Sequence, residues 1–385
     1  MIALTSPLSL QQDDTQAVLR GWCNDRDLPS SVTLKVAGVE VSASIRPAPE
    51  VDAKYPDLKA VFWESNLDFA AIYRSPQARY SSALFAVTVF IHCGAERRGF
   101  EYAVPQEWVQ RIFSGAGMVP RAKAATPPHL MVRVCGSSEI GFYPTGHVAV
   151  QQIRALLAGV GTQLESFETI LDFGCGCGRV LLALHNEGLP PGALFGSDLD
   201  QEAMNWCAAN LGPAATFEWN GNLPPTRYPG EKFDLVYAIS VFTHLPEEHQ
   251  FAWLAELRRI IKPGGFLIAT VHGPTTCSHL PAELQREVTR RGSLYVDQNR
   301  KDWPSYLGAK TDGLPDFYRL TYHTFDYVRR NWSRDFEVLN IVEQGLNFIQ
   351  DAVVCRKPAA NGFRRLWSAG MAKLFGRRSD RRPAV

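Results

Sequence analysis

Ile170-Leu171-Asp172-Phe173-Gly174-Cys175-Gly176-Cys177-Gly178-Arg179-Val180 is the stretch on which the reading of this chain turns. A short apolar run ends in an acid, three glycines follow at alternate positions, and an apolar helical pattern begins. That order predicts a buried parallel strand, a tight glycine loop and a helix N-terminus. Glycines in such a loop let a ligand approach the backbone, because a Cβ there would stand in its way. The spacing G-x-G-x-G after an acid differs from the G-x-G-x-x-G of dinucleotide enzymes.

Strand and helix patterns alternate downstream. Strands are expected at Ile170–Phe173, Ala193–Ser197, Thr216–Trp219, Phe233–Ala238 and Phe266–Val271. Helices are expected at Arg179–Glu187, Gln201–Asn210 and Glu247–Ile261, the last stopped by Lys262-Pro263-Gly264-Gly265. Upstream, Val148, Ile153, Leu156 and Leu157 give a helical spacing from His147 to Gly159. Helix Thr324–Arg330 and strands Phe336–Val342 and Ala352–Arg356 complete the pattern. Such alternation predicts an α/β fold with a doubly wound sheet.

These residues resemble the class I S-adenosylmethionine (AdoMet)-dependent methyltransferases, over residues 140 to 357. The resemblance implies a Rossmann-like, seven-stranded sheet and AdoMet as cofactor. It also implies a role for each motif. The loop Gly174, Cys175, Gly176 and Gly178 would offer backbone N–H groups to the methionine carboxylate, and Asp172 would meet its ammonium side. Asp198, 20 residues beyond Gly178, would accept the ribose hydroxyls, with Leu199 beside the adenine. Asn220 or Asn222, flanking Gly221, would accept from the adenine amino group. Phe233 to Leu245 also resembles the family and would place Ser240 and Val241 against the cofactor.

The chemistry of methyl transfer is mostly alignment in a dry site. A hydroxyl acceptor also loses a proton, and His244, His272 and His323 are the candidate bases. His244 has an alternative role, holding its loop through backbone hydrogen bonds. Cys175 and Cys177 form a C-x-C pair without a second Cys/His pair at useful spacing, so no metal site is expected.

Residues 1–112 read as a small all-β domain. Val18–Trp22, Val32–Val36 and Leu84–Ile91 are strand-like and separated by turn residues. Gly21-Trp22, Arg46-Pro47 and Val51-Asp52 before Tyr55-Pro56 resemble small β-sandwich domains that accompany bacterial glycan-building enzymes. That resemblance implies a role in polysaccharide biosynthesis, with a sugar hydroxyl as acceptor; a small molecule or protein stays open as acceptor. Residues 113–128 form a Gly/Ala/Pro-rich linker and 129–357 the methyltransferase domain. Within it, 273–320 is an insertion with Trp303, Tyr306 and Tyr318, expected as a lid over the acceptor.

The bulk composition is that of an ordinary globular protein, with 45% hydrophobic and 21% charged residues. No apolar run is long enough to span a bilayer, and the N-terminus lacks a secretory signal. Eight scattered cysteines fit free thiols in a reducing compartment. A cytoplasmic enzyme is therefore expected. From Arg356 onward nine Lys/Arg face one acid, so the tail is basic while the rest is mildly acidic. An acidic body argues against nucleic acid as a partner. In residues 358–385, Phe363, Leu366, Trp367, Met371, Leu374 and Phe375 share one helical face among arginines. Such a helix suits an anionic membrane surface, which would place the enzyme peripherally at the inner face of the membrane.

Two rival readings share parts of this pattern. A nicotinamide oxidoreductase would use the same sheet but a different glycine spacing. An inactive AdoMet-fold scaffold would keep the sheet without needing the loop.

Overall fold

A computed structural model of the chain describes residues 2–4, 9–10, 16–25, 29–49, 59–74, 86–93, 95–103, 126–135, 142–297, 314–346 and 349–359. The linker up to residue 125, Trp303, Tyr306 and the tail from residue 360 lie outside the described residues. The chain divides into two compact units, one of residues 1–152 with 177–189, the other of 153–176 with 190–385.

The first unit carries two antiparallel sheets. One joins β1 (Ile2–Leu4), β2 (Ser9–Leu10), β3 (Gln16–Asp25), β6 (Ser44–Pro47) and β7 (Lys59–Asp68); the other joins β4 (Ser31–Val36), β5 (Val39–Ser42), β8 (Ala86–Cys93) and β9 (Glu96–Ala103). Strands β3 and β7 pair from Gln16↔Asp68 to Asp25↔Lys59. In β4 the buried positions Val32, Leu34 and Val36 alternate with more exposed ones, the period of a strand with one face inward. Helix α1 (Phe69–Arg74) follows β7, and α2 (Pro128–Cys135) and α3 (Phe142–Ala158) come later in the chain. Helix α4 (Arg179–Asn186) also belongs here, with Val180 to Leu184 all buried. A Cβ at Gly146 would stand 2.6 Å from the Arg179 carbonyl oxygen, so α3 needs a glycine where it meets α4.

The second unit is built on a seven-stranded sheet. Its strands are β10 (Ile170–Phe173), β11 (Leu194–Asp198), β12 (Thr216–Trp219), β13 (Phe233–Ala238), β14 (Ile261–Val271), β17 (Glu337–Leu346) and β18 (Gln350–Arg356). They lie in the order β12-β11-β10-β13-β14-β18-β17. Neighbours from β12 to β14 pair in parallel, and β18 runs against both of its neighbours. All four residues of β10 are buried, as expected of a parallel strand covered on both faces. Helices α5 (Gln201–Asn210), α6 (Glu247–Ile260), α7 (Pro274–Cys277), α8 (Ala282–Arg291) and α9 (Phe325–Trp332) complete the unit. Asp200 caps α5 through the Ala203 N–H, and Thr324 caps α9 through the Tyr327 N–H.

The core of this unit joins Phe173, Val236, Leu267 and Val353 of the sheet to Trp253, Leu254 and Leu257 of α6 and to Val328 and Trp332 of α9. Those positions on α6 recur at helical spacing, with Glu247 and Glu248 in its first turn and Arg258 and Arg259 in its last.

One expectation needs correction. Lys262-Pro263-Gly264-Gly265 does not lie between helix and strand. The helix ends at Ile260, and these residues already belong to β14. A register shift between Phe233 and Leu235 absorbs them, and Gly264 and Gly265 exchange backbone bonds with Lys357. The insertion has regular structure where it is described. It contains α7, α8 and a hairpin-like pair of β15 (Ser293–Val296) with β16 (Leu320–His323) around a small core of Leu280, Val288, Leu294 and Tyr322.

Candidate functional site

The order of the sheet reverses at β10, which lies between β11 and β13. A crevice beyond the carboxyl ends of the strands is the rule at such a switch point. The glycine loop leaves β10 there. Gly174, Gly176 and Gly178 have φ of +81°, +52° and +77°, a region closed to most side chains. At Gly174 a Cβ would also fall 2.3 Å from Val241 Cγ2, which brings the loop against the segment after β13. Gly178 caps α4 without a side-chain bond of its own.

Asp198 ends β11 and ties the loop in place. Its Oδ2 accepts the Gly176 N–H at 2.7 Å, and its Oδ1 accepts the Asp200 N–H at 2.8 Å. Burial raises its pKa to about 6, against the pull of those backbone donors. Asp172 is buried in β10, opposite Tyr237 in the register. The Tyr237 phenol lies well above its ordinary pKa, through burial first and the Asp172 carboxylate second. Leu199 is half-buried, and its carbonyl accepts the Trp219 indole N–H at 2.9 Å. The two asparagines differ. Asn220 Oδ1 is buried without a hydrogen-bond partner, whereas Asn222 is exposed; Gly221 between them has φ +68°.

Ser240 stands at φ +59°, a conformation that a non-glycine residue holds only when its surroundings enforce it. Its N–H donates to Thr270 Oγ1 at 2.8 Å, and its Oγ accepts from Gln350 Nε2 at 2.6 Å. Neither partner is visible in the sequence. Gln350 lies 110 residues away on β18, and no local pattern marks it. Its Oε1 is buried and unpartnered.

The three histidines named from the sequence come together. The His244 and His272 rings lie 6.0 Å apart, edge to face, and the backbones at 272 and 323 are joined by the His323 N–H donating to the His272 carbonyl at 2.8 Å. His244 stacks on Tyr318, ring centroids 4.2 Å apart. Burial holds all three imidazoles neutral, with pKa values lowered to about 4 for His244 and about 3 for His272 and His323. His244 does hold its loop: its Nδ1 bonds the Arg319 carbonyl at 3.0 Å and its own carbonyl accepts the Arg319 N–H at 3.2 Å. His323 Nε2 bonds Gln250 Oε1 at 3.0 Å. Gln250, on α6, is a further residue that sequence spacing does not reveal. The Tyr318 phenol is pushed up by burial and then by the Asp198 charge, which places this part of the insertion toward the carboxylate that ends β11.

Cys175, Cys177 and the other described thiols, Cys23, Cys93, Cys207, Cys277 and Cys355, are free of disulfides. Among the described residues no group of three His, Cys, Asp or Glu is placed to hold a metal ion. Cys175 Sγ instead lies 3.6 Å from the Gly176 carbonyl. Among the described residues no helix is long and apolar enough to cross a membrane.

Residues 170–265 match the family model described as a methyltransferase domain. That stretch is a methyltransferase domain. The chain is 36% identical over 110 residues to the tRNA (carboxymethyluridine(34)-5-O)-methyltransferase of Arabidopsis thaliana, covering 28% of this chain and 25% of that protein. It is 28% identical over 143 residues to an uncharacterized methyltransferase of Schizosaccharomyces pombe, covering 35% of this chain and 50% of that protein. The chain thus spans a quarter to a half of the length of these curated relatives. Among solved structures, an S-adenosylmethionine-dependent methyltransferase from Mesorhizobium loti is similar at 19% identity and TM-score 0.37, over 53% of this chain and 96% of that one. The magnesium protoporphyrin IX methyltransferase of Synechocystis, solved with bound SAH, is similar at 16% identity and TM-score 0.39, over 66% of this chain and 100% of that one.

Proposed function

We propose that the protein is an AdoMet-dependent methyltransferase that methylates a sugar hydroxyl of a cell-surface polysaccharide or its precursor. The observation that carries the methyltransferase part is the tie between loop and second strand. Gly176 and Asp198, 22 residues apart, are bonded at the switch point of the sheet, where a cofactor of this class belongs.

In this reading Asp172, Gly174, Cys175, Gly176 and Gly178 meet the methionine end. Asp198 and Leu199 meet the ribose and the near side of the adenine. The buried, unpartnered Oδ1 supports Asn220 over Asn222 as the acceptor of the adenine amino group, with Gly221 beside it. Ser240 and Val241 lie under the sulfonium. His244, His272 and His323 belong to the acceptor side, with residues 273–320 as its cover.

The domain scheme is part of the proposal: an accessory β-sandwich over 1–112, a linker over 113–128, the enzyme over 129–357 and a basic tail over 358–385. The two antiparallel sheets of the first unit support the sandwich. The sugar acceptor rests on the likeness of that region to domains beside bacterial glycan enzymes. A small molecule or a protein is the alternative acceptor. The Arabidopsis relative acts on tRNA by its name, but the mildly acidic body here does not favour a nucleic acid.

Titration calorimetry tests the cofactor, with AdoMet binding expected and NAD silent. Absence of AdoMet binding sinks the reading and leaves a scaffold. Mass spectrometry of surface glycans with and without the gene tests the acceptor; unchanged glycan methylation rejects the sugar. The tail is proposed as a peripheral anchor in the cytoplasm. Full-length protein should sediment with anionic liposomes, partly resisting salt, and a chain ending at Lys357 should not. Equal sedimentation of the two removes the anchor.

A further inference from the structure

We propose that the methyl acceptor presents a neutral hydroxyl to a wall of proton-accepting imidazoles, and that His272 is the residue that receives its proton. The inference rests on the methyltransferase reading and sharpens it at the acceptor side.

Hydrogen-bond partners fix which nitrogen of each ring carries a proton. At His244 the partner of Nδ1 is the Arg319 carbonyl, which only accepts, so Nδ1 holds the proton and Nε2 is bare. At His323 the partner of Nε2 is Gln250 Oε1. The Gln250 amide nitrogen donates to the Leu245 carbonyl at 2.8 Å, so its oxygen is the accepting end. His323 Nδ1 is therefore bare, and it has no partner. At His272 the Thr321 carbonyl takes a ring N–H, and Nδ1 is buried with no partner. The fold thus orients three neutral rings so that each keeps one lone pair.

His272 is singled out by position and by its buried, unpartnered Nδ1. It directly follows β14, two residues beyond Thr270, whose hydroxyl holds the Ser240 N–H at the end of β13. That is the edge on which the methyl group would be presented. His323 is fully enclosed at 0% exposure, and His244 is committed to its loop. His272 keeps its Nδ1 buried and without a partner, so that lone pair is withheld from bulk water.

The chemistry of the wall selects the ligand. Lone pairs receive O–H or N–H and repel carboxylate or phosphate oxygens. A neutral amine needs no base, and an ammonium is too weak an acid to surrender its proton to an imidazole held so strongly neutral. A hydroxyl differs, because it becomes strongly acidic only as its oxygen gains the methyl group. In that step the O–CH3 bond forms, the S–CH3 electron pair remains on the cofactor sulfur, and the hydroxyl proton passes to His272 Nδ1. The titratable groups around His272 are His244 after β13, His323 and Tyr322 on β16, Tyr318, Cys277 on α7 and Asp351 on β18. The carboxylate in this set, Asp351, acts on Cys277.

Long-range ¹⁵N imidazole spectra of the full chain at pH 7, with and without AdoMet, test this directly. A His272→Gln variant assigns the resonances. The expected result is a neutral His272 with one bare nitrogen that shifts on adding one or more of a panel of methyl pyranosides. Inorganic phosphate and ethylammonium should leave it unmoved. A protonated His272, or no response to any pyranoside, overturns the proposal, and so does a response to phosphate or ethylammonium alone. Transfer to the responding pyranoside should fall about 100-fold or more in His272→Gln with the AdoMet Kd unchanged. Retained transfer rejects His272 as the base. Calorimetry on the same samples separates the failures. No AdoMet binding overturns the methyltransferase reading, whereas AdoMet binding beside a silent His272 overturns this inference alone.

Discussion

The two edges of the candidate site are made of different material. The edge proposed for the cofactor is backbone: glycines at positive φ, N–H groups, and one carboxylate that braces them. Its residues from Asp172 to Asp198 come from a single strand–loop–helix–strand segment. The edge proposed for the acceptor is side chains: three neutral imidazoles, a glutamine and a tyrosine drawn from four separate segments. A backbone site depends on conformation, so one Cβ destroys it. A side-chain site depends on desolvation and hydrogen-bond direction, so it fails by degrees and with pH.

The largest effect should come from the backbone edge. Gly176→Val places a β-branched side chain at φ +52° in the loop and should abolish AdoMet binding in calorimetry. Binding like that of the parent would falsify the assignment of the loop.

The next effect belongs to the acceptor edge and is read as stability. His244, His272 and His323 have folded-state pKa values lowered to about 4, 3 and 3 from the ordinary 6.5. Groups lowered in this way contribute stability above pH 6.5 and lose it as pH falls toward 4 and 3, because the unfolded chain then binds protons that the folded chain refuses. Each tenfold difference in proton affinity between the two states is worth about 1.4 kcal/mol. Asp198 works in the opposite sense. Its pKa is raised to about 6, so its contribution is present at low pH and is lost as the pH rises through 6. Three groups outweigh one, and denaturant unfolding of the free protein should show a net loss of stability between pH 6.5 and 4. The loss should be smaller in His323→Gln. Flat stability over that window would mean that the imidazoles are not held neutral by burial.

Asp198→Ala removes the brace of the loop and an acceptor for the ribose. It should weaken AdoMet by roughly 1–3 kcal/mol. Affinity in the parent should fall on acidification through pH 6, opposite in sign to the carboxyl's own effect on stability. An affinity that is independent of pH between 7 and 5 would remove Asp198 from the cofactor's contacts.

The smallest effect separates two neighbours. Asn220→Ala should weaken AdoMet by about 1 kcal/mol, the scale of one hydrogen bond, while Asn222→Ala should have no effect. The reverse order would move the adenine contact to the exposed residue.

The same contrast explains what was legible in the sequence. Strands β10, β12 and β13 and helix α5 stand where periodicity placed them, because each is set by its own local pattern. Lys262 to Gly265 misled, since Pro and Gly mark a helix end but equally suit the irregular start of a strand whose register shifts. In the insertion, Pro and Gly punctuation hid α7, α8 and the β15–β16 pair, whose small core is nonlocal.

The sequence by itself determined the glycine loop, the acid before it and Asp198, because backbone conformation and strand–loop–helix order are local properties. It also marked the three histidines as titratable. Only the tertiary structure decided that they share one site, that Gln250 and the Arg319 and Thr321 carbonyls fix their protons, and that Gln350 holds Ser240 in its strained turn. Burial and hydrogen-bond direction arise where distant segments meet, and no spacing within one segment encodes them.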